Sequence, residues 1–207
     1  MKTIALIALL FGTGGLALSS TSAVTTKAFR LKLGEQSIDI DVGERAEITL
    51  PDGSKVRVEL TRNEFATYSG EGFTFVHPSD VSVTRSDLGD GVVQHLMTTA
   101  LGTMVIVQTY DGLDPSTLNE MMLKELTGDA VAAGAKLERK DAKRDVSGKT
   151  LSGIVATETL RRDTVDYEIE SYGKDDAGVI VITRMDRENA AQDSAKIAKF
   201  WETFRLQ

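Results

Sequence analysis

The sequence predicts an α+β fold: an antiparallel β-sheet packed with two main helices and preceded by a small N-terminal β-meander. Three observations predict it. The elements run in the order meander, helix, meander, helix, with short turns between strands, so neighbouring strands should pair antiparallel. Residues 179–182, Val-Ile-Val-Ile, are β-branched without a polar break, the mark of a strand covered on both faces. After a polar turn at 186–189, Ile197, Trp201 and Phe204 recur at steps of four and three, forming one helical stripe. Lys196, Lys199 and Glu202 are left to face water. A buried strand thus hands over to a helix that lies back on the sheet. A helix on each face, or both on one, is the economical packing.

The first residues read as a targeting segment. Lys2 supplies a positive start, residues 4–18 form an apolar run, and Thr21-Ser22-Ala23 has the small residues of a cleavage site. The run is shorter than the ~20 residues that span a bilayer. The expected organisation is a signal peptide over 1–23, a β-extension over 24–66 and the α+β domain over 67–207. The mature chain, starting near Val24, is expected to be exported to the periplasm or the extracellular space, with no membrane insertion after cleavage.

Composition narrows the chemistry. There is no cysteine, so thiolate catalysis, cysteine-ligated zinc, iron–sulfur clusters and a lipid-modified cysteine at the N-terminus are ruled out. An exported chain without disulfides must rest on its core, and one of this length buries roughly 70% of its unfolded surface. The net charge of −7 argues against nucleic acid, which needs a basic face, and against adhesion to anionic lipid.

From Thr26 to Ala66, "AFRLKL", "QSIDIDV" and "AEITL" alternate apolar with polar. Pro51-Asp52-Gly53-Ser54 is a turn, because proline presets φ and glycine accepts a positive one. Val56, Val58 and Leu60 then form one face of a half-buried strand, with Lys55, Arg57 and Glu59 on the other. Further on, Phe73 and Phe75 point the same way, and Pro78 holds His77 extended. Asp90-Gly91 marks a turn, and a hairpin turns across Ala100-Leu101-Gly102. Asp114 is a good N-cap with Pro115 in the first helical position. Leu118, Met121, Met122 and Leu126 form the expected buried stripe, and Gly134 the expected stop. Three more strand segments lead to residues 179–182.

Catalytic signatures are missing. Gly148-Lys149-Thr150 ends like a phosphate-binding loop, but Lys143 stands where the first glycine belongs and a strand follows. Gly89-Asp90-Gly91 lacks the third glycine of a dinucleotide fingerprint, with Gln94 in its place. His77 and His95 could serve a metal or a hydrolytic centre if they converged with a carboxylate. Without ligand spacing, each reads as a satisfied strand histidine. Asp87, Asp90, Asp111 and Asp114 lie in two loops that could share one end of the sheet, and clustered carboxylates suit Ca²⁺. No Ca²⁺ loop motif is present, however, and Asp90 and Asp114 already have turn and capping roles. Asp166, Glu168 and Glu170 line one face of a strand and read as a solvated row, or, on an open sheet, as a surface for a basic partner. Met97, Met104, Met121, Met122 and Met185 read as core filler. No catalytic, metal or cofactor-binding residue is assigned, and no cofactor is expected.

The stretch "YSGEGFTFVHPSDVSV", with Gly72, Phe73, Phe75 and Pro78, resembles the opening strand of PsbP-like and Mog-like proteins. "AGVIVITRMDRE" and "AKIAKFWETFRL", with Phe204-Arg205, are similar to that family's closing strand and helix. Val81 stands where the family often has an aromatic. The likeness covers roughly Tyr68 to Leu206, as a pattern of apolar positions. It implies an α/β/α sandwich and a binding or assembly role without catalysis, as in photosystem assembly or small-GTPase binding. Export would separate this chain from a cytoplasmic GTPase. Outside that span, "ITLPDGSKVRVEL" is similar to hairpins of FecR-like envelope sensors.

The expected function is therefore a non-catalytic binding or assembly factor of the cell envelope, acting on another envelope protein or a small ligand through open sheet or loop ends. The alternatives are a metal-dependent or hydrolytic enzyme using His77, His95 and nearby carboxylates, and a structural subunit forming a homo-oligomer through the N-terminal β-extension. Trp201→Ala is expected to cost about 3–5 kcal/mol if the closing helix is packed.

Overall fold

The computed structural model describes residues 27–207, so the expected leader and cleavage site lie outside the described residues. The described residues fall into two compact units, divided between Thr61 and Arg62. The division falls ahead of residue 66 because the next strand, beginning at Phe65, pairs within the second unit.

In the first unit, β1 (Phe29–Leu33) pairs with β2 (Gln36–Ile40), and β3 (Arg45–Thr49) with β4 (Lys55–Glu59). These are two separate two-stranded sheets rather than one continuous meander. The chain bends between them at Gly43, whose φ is 84°, while Glu44 accepts a hydrogen bond from the Asp41 amide at 2.8 Å. The turn before β4 forms as expected: Asp52 Oδ1 accepts from the Ser54 amide at 2.9 Å and Gly53 has φ 84°. Ile40 and Ile48 are buried.

The second unit is α+β and mostly antiparallel sheet with two helices. Its strands are β5 (Phe65–Gly70), β6 (Phe73–Pro78), β7 (Val83–Gly89), β8 (Val92–Thr98) and β9 (Met104–Asp111). Helix α1 (Asn119–Ala132) follows, then β10 (Lys136–Val146), β11 (Lys149–Leu160), β12 (Asp163–Lys174) and β13 (Ala177–Asp186). Helix α2 (Ala190–Thr203) and the short β14 (Arg205–Leu206) close the chain. The main sheet has seven strands in the order β10-β11-β12-β13-β9-β8-β7, all pairs antiparallel. A second sheet, β14-β6-β5, holds the aromatic strand.

Strand β13 is the middle strand of the seven, which explains its unbroken apolar run. Val179 and Val181 turn to one face, with Phe73, Phe75, Phe200 and Phe204. Ile180 and Ile182 turn to the other, with Leu123, Ile154, Val165, Tyr167 and Ile169. Helix α2 belongs to the first cluster and α1 to the second, one helix to each face. Phe200 anchors α2, its ring meeting Phe75 edge-on at 5.0 Å and Phe204 at 5.2 Å. The Val76 amide also donates to Thr203 Oγ1 at 3.0 Å, tying α2 to β6.

Several expectations change. Asp114 caps a 3-10 turn at Pro115–Thr117, accepting from the Ser116 amide at 2.8 Å, and α1 starts one turn later. Gly134, at φ 96°, ends the helix as expected. Met121 is 53% exposed, whereas Leu118, Met122 and Leu126 of the expected stripe pack against the core, and the fully buried residues of α1 are Leu123 and Thr127. Helix α1 lies over β11 and β12. Lys196 is not free: its Nζ lies 2.5 Å from the buried Asp193.

The acid row on β12 is also not a solvated face. Glu170 is 1% exposed and takes a bidentate pair of bonds from Arg144, Nε at 2.9 Å and Nη2 at 3.0 Å. Glu168 accepts from Trp201 Nε1 at 2.6 Å, and Asp166 pairs with Arg187. The Arg144 guanidinium lies 3.9 Å over the Trp201 ring. The row lies under α2, where Arg144 of β10 neutralises Glu168 and Glu170, and Arg187, in the turn before the helix, pairs with Asp166.

Candidate binding cleft

Strands β7, β8, β9 and β13 meet β6 around a cleft of about 610 Å³. Local structure builds it. The turn from β7 to β8 runs through Asp90 and Gly91 with positive φ, and Gly91 is needed there: a Cβ would meet the Asp111 carbonyl at 2.0 Å. Asp87 Oδ1 steadies the turn by accepting from the Gly89 amide at 2.9 Å. Arg85, Lys149 and Lys174 bring positive charge to the walls; Glu71, Asp87 and Asp111 bring negative charge. Lys149 donates to the Gln207 carbonyl at 2.6 Å and lies 5.6 Å from the Tyr172 ring.

A polar chain runs from this cleft into the core. Arg85 Nε donates to Glu71 Oε1 at 2.8 Å. Glu71 Oε2 lies 3.0 Å from His95 Nε2, off the line that a hydrogen bond requires. His95 Nδ1 is 2.8 Å from the Tyr68 hydroxyl. The His95 ring also packs edge-on against Phe73 at 4.9 Å. Burial holds His95 below its ordinary value; Glu71 opposes this, and Arg85 adds to it. Its side chain has no exposed surface, so a ligand in the cleft would feel it only through Glu71. Glu71 itself is held below the usual carboxylate range by its own backbone amide and by Arg85.

His77 is placed elsewhere. It is buried beside Phe75, ring centroids 6.0 Å apart, with Nδ1 2.9 Å from the Pro78 carbonyl. The two histidines share no hydrogen-bonding partner. Of the four aspartates considered for Ca²⁺, Asp87 and Asp111 line the cleft; Asp90 is in its turn and Asp114 at its cap. Among the described residues, no group of three or more His, Asp or Glu is arranged to hold a metal ion.

Tyr68, Glu71 and Arg85 were not singled out in the sequence. Arg85 faces His95 directly across the β7–β8 ladder, so their pairing follows once the register of the hairpin is drawn. Glu71 comes from another sheet, and nothing local announces it.

Comparison with known proteins gives a structural likeness only. No family model and no curated protein matches the chain. The solution structure of cyanobacterial PsbP (CyanoP) from Synechocystis sp. PCC 6803 is similar over 70% of this chain and 93% of its own, with 10% identity and a TM-score of 0.48. A crystal structure from Bacteroides thetaiotaomicron VPI-5482 is similar over 70% of this chain, with 10% identity and a TM-score of 0.39; this chain spans about half of that one's length, 49%.

Proposed function

We propose that this protein is an exported, non-catalytic binding or assembly factor of the cell envelope, with a PsbP/Mog-like sandwich as its body. It captures an extended segment of a partner protein along β7, with the adjoining cleft receiving the segment's side chains. One observation carries this reading: the two edges of the main sheet are built differently. The β10 edge is guarded, with eight of its eleven residues charged. The β7 edge, VTRSDLG, has a single cation, is exposed over nearly all its length and is hydrogen-bonded on one side only. Charge on an edge strand discourages pairing, and an unguarded edge invites it. The bulge between Asp87 and Gly89 closes the far end of β7, leaving Val83 to Asp87 as the regular stretch. Mixed charge in the cleft suits a polar polypeptide better than a uniformly charged ligand.

Site-specific photo-crosslinking in intact cells tests it. A photoreactive residue replacing Ser86 on β7 should give a discrete heavier adduct, and one replacing Lys140 on β10 should not. Equal labelling from both edges, or none from β7, contradicts the proposal. An adduct of twice the chain's own mass would point instead to self-pairing. Mass spectrometry of the purified protein should find the mature N-terminus near Val24.

A further inference from the structure

Glu158 lies at the far end of the main sheet from the cleft described above, and its position is unusual for a charged group. It continues the inward series Ile154, Ala156 on β11 and is 7% exposed, yet its Oε2 has no hydrogen-bonding partner. Across the ladder it stands opposite Val165 of β12, which stands opposite Asp186 of β13. Directly opposed residues share a face of the pleat, so the Glu158 and Asp186 carboxyls are on the α1 face with one valine between them. Asp186 holds Arg184 by two bonds, at 3.0 and 3.1 Å. Glu158 and Asp186 line a cavity of about 590 Å³ with Thr164, Arg184 and Arg162. Burial raises the Glu158 carboxyl above its ordinary value; Arg184 and a hydrogen bond from Tyr167 only partly oppose this.

A buried acceptor without a donor is costly, and a bound donor removes that cost. The acceptors on this face are the Glu158 oxygen with no partner and the Asp186 carboxylate; Asp163 and Glu188 add negative charge to the cavity, against Arg162, Arg184 and Arg187. A primary ammonium presents three donors from one compact charge and suits such a set. A metal ion suits it less, because no group of three His, Asp or Glu arranged for one occurs among the described residues. We propose that this cavity is a binding site for a primary alkylammonium group, such as a small amine or a lysine side chain, with Glu158 as its anchor and Asp186 as a further acceptor.

The test is a titration of the full chain, isotope-labelled, with n-butylammonium chloride, followed by amide chemical shifts. Saturable shifts are expected at Thr164, Val165 and Asp186, with a Kd on the order of millimolar for so small a probe. Tetramethylammonium, which has no N–H donor, should leave these shifts unchanged. Glu158→Gln should abolish saturation while its spectrum and melting temperature show an intact fold. Absent shifts, equal shifts with tetramethylammonium, or undiminished binding in a folded Glu158→Gln variant would overturn the assignment.

Discussion

The two faces of the main sheet bury comparable apolar strands but are closed in different ways. The α1 face is sealed by one helix over aliphatic side chains and tyrosines: Leu123 on Ile154, Ile169 and Ile180. The α2 face carries an aromatic cluster of Phe73, Phe75, Phe200 and Phe204, and beneath its helix it also holds charge. Arg144 pairs with Glu170 there. Asp193, 0% exposed, takes Thr99 Oγ1 at 2.6 Å and Lys196 Nζ at 2.5 Å. Burial pushes Asp193 up, but its hydrogen bonds from Lys196, Thr99 and Thr103 outweigh this and leave it below the usual range. The lesson is that an inward acid is tolerated where a partner reaches it from a neighbouring element, and Glu158 on the α1 face is the exception that lacks a complete set.

The comparison can be tested by substitution. The largest effect is expected from Phe200→Ala, about 4 kcal/mol, because the ring is fully buried among three aromatic neighbours. Chemical denaturation measures it, and a loss under about 1 kcal/mol would mean that α2 is not seated as described. Arg144→Ala should cost about 3 kcal/mol by leaving Glu170 buried and unpaired. Replacing both partners by leucine should recover most of that loss; a double variant as weak as the single would show that the pair does more than neutralise itself. Trp201→Ala should cost about 2 kcal/mol rather than the full value for a core tryptophan. The indole is only half-buried, with Arg144 on its face and Glu168 on its N–H.

A pH effect follows from His95. Its folded value is lowered from the ordinary 6.5, so the unfolded chain binds the proton more readily. Its contribution to stability is therefore full above about pH 6.5 and is lost as pH falls below that towards the folded value. For one proton the slope is at most about 1.4 kcal/mol per pH unit. Melting curves between pH 7.5 and 5 should show this decline, and His95→Gln should flatten it. Met121→Lys, on the exposed side of α1, should stay within about 0.5 kcal/mol of wild type.

Much of this fold is written in local patterns. Residues 179–182 announce a central strand because no polar residue interrupts them, and the alternation of Phe73 and Phe75 places both in one core. Asp90-Gly91 and Pro51 to Ser54 fold as their turn chemistry requires. The candidate sites are less legible because they depend on partners far along the chain. Asp166, Glu168 and Glu170 look like a wet face until α2 and Arg144 cover them. Met121 looks like core, yet α1 leaves it exposed and buries Leu123 and Thr127. The Glu71–His95 approach joins two sheets. Glu158 did carry a local signal: a charge at the inward phase of Ile154 and Ala156.

The central claim is that β13 is clamped between two complete layers while β7 remains an open margin. Native-state hydrogen exchange tests it most directly. The amides of Val181 and Ile182 should exchange only through global unfolding, with the full denaturant dependence of the unfolding free energy, while Thr84 and Ser86 exchange through small local openings. Exchange at Val181 and Ile182 as fast as at Thr84 and Ser86 would contradict the account.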